Sequence, residues 1–171
     1  MNGKDTACFS RQSDEWETPQ WLFDLLDQEF HFNFDAAATD DNCKVCFYSD
    51  DSLNGRWTKE DFTRSVWLNP PYSQIAAFMK KTYEESQKGA TVVCLIPSRT
   101  DTRYWHDYIM KAQEIRFVKG RLKFGGAENG APFPSCVVIF RKENAMQFLS
   151  HPFGPYIGPT IEQPKKGSVP A

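Results

Sequence analysis

Ser65-Val66-Trp67-Leu68-Asn69-Pro70-Pro71-Tyr72 joins an apolar run that reads as a buried strand to a rigid polar loop. Open α/β sheets place their chemistry at the C-terminal ends of strands, where this loop falls. Each proline fixes φ near −65° and lacks a backbone N–H, so the carbonyls of Asn69 and Pro70 are presented with little freedom left to lose. Asn69 adds a side-chain carbonyl and Tyr72 a flat ring. A planar ligand with an amino group suits such a site, its N–H donors held by the oxygens and its face against the ring. The alternative is a polyproline turn that merely ends a strand, although at average composition the tetrapeptide arises by chance in fewer than about one in a hundred chains of this length.

Working outward, Thr18-Pro19 opens an amphipathic helix, with Thr18 as N-cap, Pro19 in the first turn, and Trp21, Leu22, Leu25, Leu26 and Phe30 at helical spacing. His31 to Asp35 alternates like a strand and runs into Ala36-Ala37-Ala38. Residues 39–65 are turn-rich, with a short strand expected around Val45 to Tyr48 and a turn at Asn54-Gly55. About thirty residues separate Asp35 from Val66, too few for two full helical crossovers, so short or missing helices are expected there. A helix over 74–87 turns Ile75, Phe78, Met79 and Tyr83 inward and stops at Gly89. Thr91 to Ile96 is a continuous apolar strand, followed by a helix over 102–112, a strand over 115–118, a Gly-rich basic loop over 120–134 and a last strand over 136–140. This alternation implies an α/β fold with a mostly parallel sheet, and the loop-linked last strand an antiparallel partner at one side.

With 171 residues, the chain is expected to form one domain with a substantial core. We divide it into a flexible N-terminus (1–15), a single catalytic domain (16–150) and a Pro-rich extended or disordered tail (151–171). The formal charge of −2 conceals an uneven distribution: residues 1–62 carry 5 Lys/Arg against 14 Asp/Glu, whereas residues 99–123 carry 7 against 3. An acidic lobe and a basic segment suit two partners of opposite charge, and scattered solvated charges would give the same counts. Five cysteines without a signal-peptide pattern fit a reducing cytoplasm better than a disulfide framework. No apolar run reaches membrane length. Cys43 and Cys46 have the spacing of half a zinc site, but no second pair follows, so they are read as small, mostly buried residues and no metal is expected.

Several ordered motifs lead to a family: Trp16-Glu17-Thr18-Pro19, Phe34-Asp35-Ala36-Ala37, Trp67 to Tyr72, Pro97-Ser98-Arg99-Thr100-Asp101 with Trp105-His106, Gly120 to Phe124, and Ala131-Pro132-Phe133-Pro134. From about Trp16 to Phe140 the chain resembles the phage-type DNA N6-adenine methyltransferases, the Dam-like group of class I S-adenosylmethionine-dependent methyltransferases. The resemblance implies a trimmed Rossmann-like fold and methyl transfer from S-adenosylmethionine to N6 of a flipped adenine in DNA. It assigns Asn69, Pro70, Pro71 and Tyr72 to catalysis. Trp16, Thr18, Pro19, Asp35, Ala36, Ala37, Asp51 and Leu53 fall to the cofactor, with Asp35 at the position of the family's first cofactor motif but without its usual glycines. Helix capping by Thr18 and a strand-ending cap by Asp35 are competing accounts. Arg99, Arg103, Arg121 and Lys123 are the phosphate candidates, and the loop over 124–134 is a candidate for target recognition or closure. We expect a monomer in the cytoplasm of a bacterial host, encoded by a phage or prophage. Rival readings are methylation of an RNA base or a protein glutamine, and a nucleic-acid-binding module that has lost its cofactor.

Overall fold

The computed structural model describes residues 16–57, 65–125, 127, 129–142 and 154–164. The expected flexible segment 1–15 and the Lys165-Lys166 pair of the tail lie outside the described residues. The fold is mixed α/β, built on a six-stranded sheet of order β1-β2-β3-β5-β4-β6. Its strands are β1 (Phe34–Asp35), β2 (Ser65–Leu68), β3 (Thr91–Pro97), β4 (Glu114–Phe117), β5 (Ser135–Phe140) and β6 (Tyr156–Ile157). Among the described residues three α-helices accompany them: α1 (Gln20–Phe30), α2 (Ile75–Gln87) and α3 (Arg103–Asp107).

β1, β2 and β3 pair in parallel, whereas β5 is antiparallel to both β3 and β4. β4 therefore points the same way as β3. Asp35, Asn69, Arg99 and Arg121 all follow C-terminal strand ends on one edge of the sheet. β6 runs parallel to β4 and was not among the strands expected from sequence. It comes from the Pro-rich tail, whose prolines at 155 and 159 flank Tyr156–Ile157 without interrupting it.

The two-residue period of the strands divides the core between the faces of the sheet. Val66, Leu68, Val92, Cys94, Ile96 and Val138 pack with α2 and α3. Trp67, Val93, Leu95, Val137 and Ile139 pack with α1. A fully two-sided sheet explains why the central strands read as unbroken apolar runs.

Several expected elements shift. The strand expected from His31 begins only at Phe34, because His31 closes α1 in a left-handed conformation (φ 49°), donating its N–H to the Asp27 carbonyl at 2.8 Å. α1 buries Leu22, Phe23, Leu26 and Phe30 and leaves Leu25 47% exposed. Thr18 does not cap α1. Pro19 occupies the N-cap, and its carbonyl accepts from the amides of Leu22 and Phe23 at 3.0 and 3.2 Å, with no side-chain cap bond. The expected strand at 45–48 is reduced to a single bridge between Asp35 and Tyr48. The expected 102–112 helix divides into α3 and a 3-10 turn over Ile109–Lys111.

Candidate active site

The strand ends open into a cleft of about 1190 Å³. That volume exceeds an ordinary small-molecule pocket and leaves room for two ligands to meet. Trp16, Thr18, Asp35, Ala37, Asp51, Leu53, Asn69, Pro70 and Pro71 all line it, so residues far apart in sequence converge. Three of the catalytic and cofactor candidates do not line it. Ala36 is fully buried in the core, Pro19 starts α1, and Tyr72 stands in an aromatic cluster with Trp16 (6.3 Å between centroids, 19° between planes) and Phe133 (5.4 Å, 76°).

Asn69 follows β2 directly. Its amide nitrogen donates to the backbone carbonyl of Trp16 and, at 3.1 Å, to the hydroxyl oxygen of Thr18. A carbonyl can only accept, which identifies the end of the amide facing Trp16 as the nitrogen. Asn69 Oδ1 is buried and has no hydrogen-bond partner among the described residues. A buried acceptor left unpaired costs about 1–3 kcal/mol, so the position favours a ligand that brings an N–H. After Asn69, Pro70-Pro71 runs into a 3-10 turn at Tyr72–Gln74 and then α2, which anchors the loop at both ends. The Tyr72 hydroxyl is likewise buried without a partner among the described residues. Burial pushes its pKa upward, so it remains a neutral phenol.

Asp35 ends β1 and is only 3% exposed. Its carboxylate accepts the backbone N–H of Lys44 at 3.1 Å and of Ala37 at 3.4 Å. Burial raises its pKa to about 6, against the opposing effect of those amides and of the Lys44 charge. Ionised at neutral pH, it presents a carboxylate in the cleft wall. Asp51 is exposed and takes a 2.7 Å bond from Asn54 Nδ2. Leu53 contributes an apolar patch packed against the core.

Lys44 and Glu17, which were not among the candidates, also line the cleft, as does Phe124, the first residue of the candidate 124–134 loop. Lys44 Nζ contacts Gln20 Oε1 at 3.2 Å and Glu17 Oε1 at 3.5 Å, fastening the 39–51 loop to the start of α1. A signal for it existed: Lys44 is the only Lys or Arg between Arg11 and Arg56. Phe124 meets Trp16 edge-to-face at 5.3 Å, and the Gly125 amide bonds the Glu17 carbonyl at 2.9 Å. These contacts bring the Gly-rich loop to the cleft. Gly130 serves close approach there, because a Cβ would lie 2.5 Å from that of Arg121.

None of Arg99, Arg103, Arg121 and Lys123 lines the cleft. All four are exposed beyond the C-terminal ends of β3 and β4, and Arg103 pairs with Asp107 at 3.2 Å. Among the described residues no group of three His, Cys, Asp or Glu could hold a metal ion, and no helix is long and apolar enough to cross a membrane.

A family model described as DNA N-6-adenine-methyltransferase (Dam) matches residues 5–153. The chain belongs to this family. A protein named DNA N-6-adenine-methyltransferase from Haemophilus phage HP1 (strain HP1c1) is 30% identical over 149 residues, covering 79% of this chain and 84% of the relative. Another of the same name, from Escherichia phage T1, is 33% identical over 114 residues, covering 64% of this chain. The match spans 46% of the phage T1 protein's own length. As a member of the Dam family the chain carries the fold expected of it: the parallel β1-β2-β3 half of a Rossmann-like sheet, with β5 inserted antiparallel beyond it.

Proposed function

We propose that this Dam-family chain transfers the methyl group of S-adenosylmethionine to N6 of an adenine turned out of DNA, at specific sites. The single observation that carries the reading is the buried, unpartnered Oδ1 of Asn69, a residue that lines a cleft large enough for two ligands. An exocyclic amine brings the N–H that this oxygen lacks.

The cleft suits the methyl donor chemically. Asp35 offers a carboxylate to hydroxyl or amino groups, Ala37 permits close approach, and Leu53 and Trp16 offer apolar and aromatic walls. S-adenosylmethionine, when bound, supplies a methyl carbon on a sulfonium, open to attack by nitrogen. The chain's own residues act on the amine. Adenine N6 is a poor nucleophile because its lone pair is delocalised into the ring. Asn69 Oδ1 and the Pro70 carbonyl accept its two hydrogens and favour the pyramidal geometry in which the lone pair is available. Tyr72 offers its ring for the base to stack upon, within the cluster it forms with Trp16 and Phe133. The attacking nitrogen gains positive charge and then loses a proton to solvent, so no strong general base is required. Arg99, Arg103, Arg121 and Lys123 hold DNA phosphates along the same edge of the sheet. The chain works as a monomer in the cytoplasm of a phage's bacterial host.

Incubation with methyl-labelled S-adenosylmethionine and adenine-containing DNA, followed by digestion to nucleosides, tests this. Label in N6-methyladenine is expected. Label absent from DNA, or found only in RNA or protein glutamine offered in parallel, overturns the proposal.

A further inference from the structure

We infer that Thr18 is a positioning residue for transfer: its hydroxyl steadies the Asn69 amide, which the Trp16 carbonyl orients so that Oδ1, rather than Nδ2, is left for the substrate amine. The inference rests on the proposed reading of Asn69 and adds a role for Thr18 distinct from contact with the methyl donor and from helix capping.

The two ends of a carboxamide are nearly the same size, so shape alone does not choose between them. Their chemistry is opposite. With the amide reversed, its N–H groups would face the N–H groups of the amine and could not draw on the nitrogen's hydrogens. The Trp16 carbonyl, which can only accept, removes this ambiguity, and Nδ2 donates both to it and to Thr18 Oγ1, the latter at 3.1 Å. Reversal would set Oδ1 against a carbonyl that has no proton to give and forfeit that bond, while the Thr18 hydroxyl fixes where the amide sits. Thr18 is 4% exposed, so water cannot easily replace the hydroxyl. Nor is the hydroxyl needed elsewhere: α1 has no side-chain cap bond, and its first turn is served by the Pro19 carbonyl.

The test compares Thr18→Val, which keeps the shape but loses the acceptor, with Thr18→Ser, which keeps the hydroxyl. Two quantities are read in the full chain: the single-turnover methylation rate alongside the S-adenosylmethionine dissociation constant, and hydrogen exchange of the Asn69 side-chain amide by NMR. Thr18→Val is expected to slow transfer roughly tenfold, the scale of one lost hydrogen bond. It should leave the dissociation constant unchanged and speed Asn69 amide exchange by a similar factor. Thr18→Ser should behave as wild type in all three. Should Thr18→Val not fold, Thr18→Ala provides the same comparison. An unchanged rate and exchange in the valine variant overturn the inference. So does a slower rate matched by an equal loss of donor affinity, which would make Thr18 a donor ligand, or a serine variant as impaired as valine. The exchange measurement needs no turnover, so a wild type that transfers no methyl group would defeat the parent reading while the orientation lock is still decided by NMR.

Discussion

Asn69 and Asp35 follow neighbouring parallel strands, yet the backbones that carry them are secured very differently. Asn69 leaves a strand paired on both sides, by β1 and β3, and enters two prolines, a 3-10 turn and the thirteen-residue α2. Asp35 leaves a two-residue strand and enters residues 36–57, which contain no helix and a single bridge at Tyr48. That segment is pinned by individual bonds. The Asp35 carboxylate holds the Lys44 amide, the Ser52 hydroxyl donates to the Ala36 carbonyl, and Trp57 Nε1 bonds the Ser52 carbonyl at 2.9 Å. Regular structure shares its strain over many bonds, whereas a pinned loop depends on each one. The amine half of the cleft should therefore lose chemistry when altered, and the donor half should lose binding, structure or pH tolerance.

The largest effect is expected at Asn69. Asn69→Ala should lower the single-turnover rate by roughly 10²–10³, the range seen when a polarising group is removed, with a stability cost of about 1 kcal/mol for its lost hydrogen bonds. A loss of activity that tracked unfolding in a thermal melt would reduce the loop to a structural turn.

Glu85 comes next. Its buried carboxylate accepts the Trp57 amide at 3.1 Å and pairs with Lys88 at 2.9 Å and Lys81 at 3.2 Å. Burial opposes its ionisation, but bonds to Lys88, Lys81 and the Trp57 amide outweigh that and hold its pKa below the ordinary carboxylate value. Glu85→Ala strands the donor-side loop and should cost about 3 kcal/mol in denaturant unfolding. A depressed pKa also means that this contribution, present above the unfolded value, is lost as pH falls through the folded one.

Asp35 carries the opposite sign. Because burial lifts its folded pKa to about 6, the folded chain takes up the proton first. Its contribution to stability is greatest below the unfolded value and is lost as pH rises through about 6. If, as proposed, the Asp35 carboxylate holds the methyl donor, calorimetry should show S-adenosylmethionine affinity falling as pH drops through about 6. Asp35→Asn should weaken binding about tenfold at neutral pH and flatten that pH profile. An Asp35→Asn variant that kept the wild-type profile would assign the titration elsewhere.

The smallest effects belong to the rim. Single Ala substitutions at Arg121 or Lys123 should leave donor affinity alone and reduce the salt slope of DNA binding by about one each. A change in the relative preference among DNA sequences would instead make them base-reading residues.

The same contrast explains what was legible in the sequence. β2, β3 and β5 announce themselves as apolar runs because they are covered on both faces, and Asn69 to Tyr72 sits where the end of such a run predicts. Pro19 marks a helix start through its fixed φ, and Gly89 a helix end through its freedom to adopt a positive φ, here 107°. The donor half was less readable because its geometry comes from contacts between distant residues. Nothing near Lys44 in sequence shows that it reaches Glu17 and Gln20, and nothing near Thr18 shows that its hydroxyl meets Asn69 rather than its own helix. β6 was hidden for the same reason, since Tyr156–Ile157 becomes a strand only by pairing with Glu114–Ile115. Leu25 shows the limit of periodicity: it falls on helical spacing, yet Phe23 is buried in its place and Leu25 stays exposed.

The central claim is that the amine site and the donor site adjoin in one cleft and that Asn69 serves the amine. The S-adenosylmethionine dissociation constant of Asn69→Ala, measured by calorimetry against wild type, tests this most directly. The account predicts a loss of less than about fivefold, because Asn69 bonds Trp16 and Thr18 of the donor wall but does not itself hold the donor. A tenfold or greater loss of affinity would contradict it and place Asn69 in the donor site.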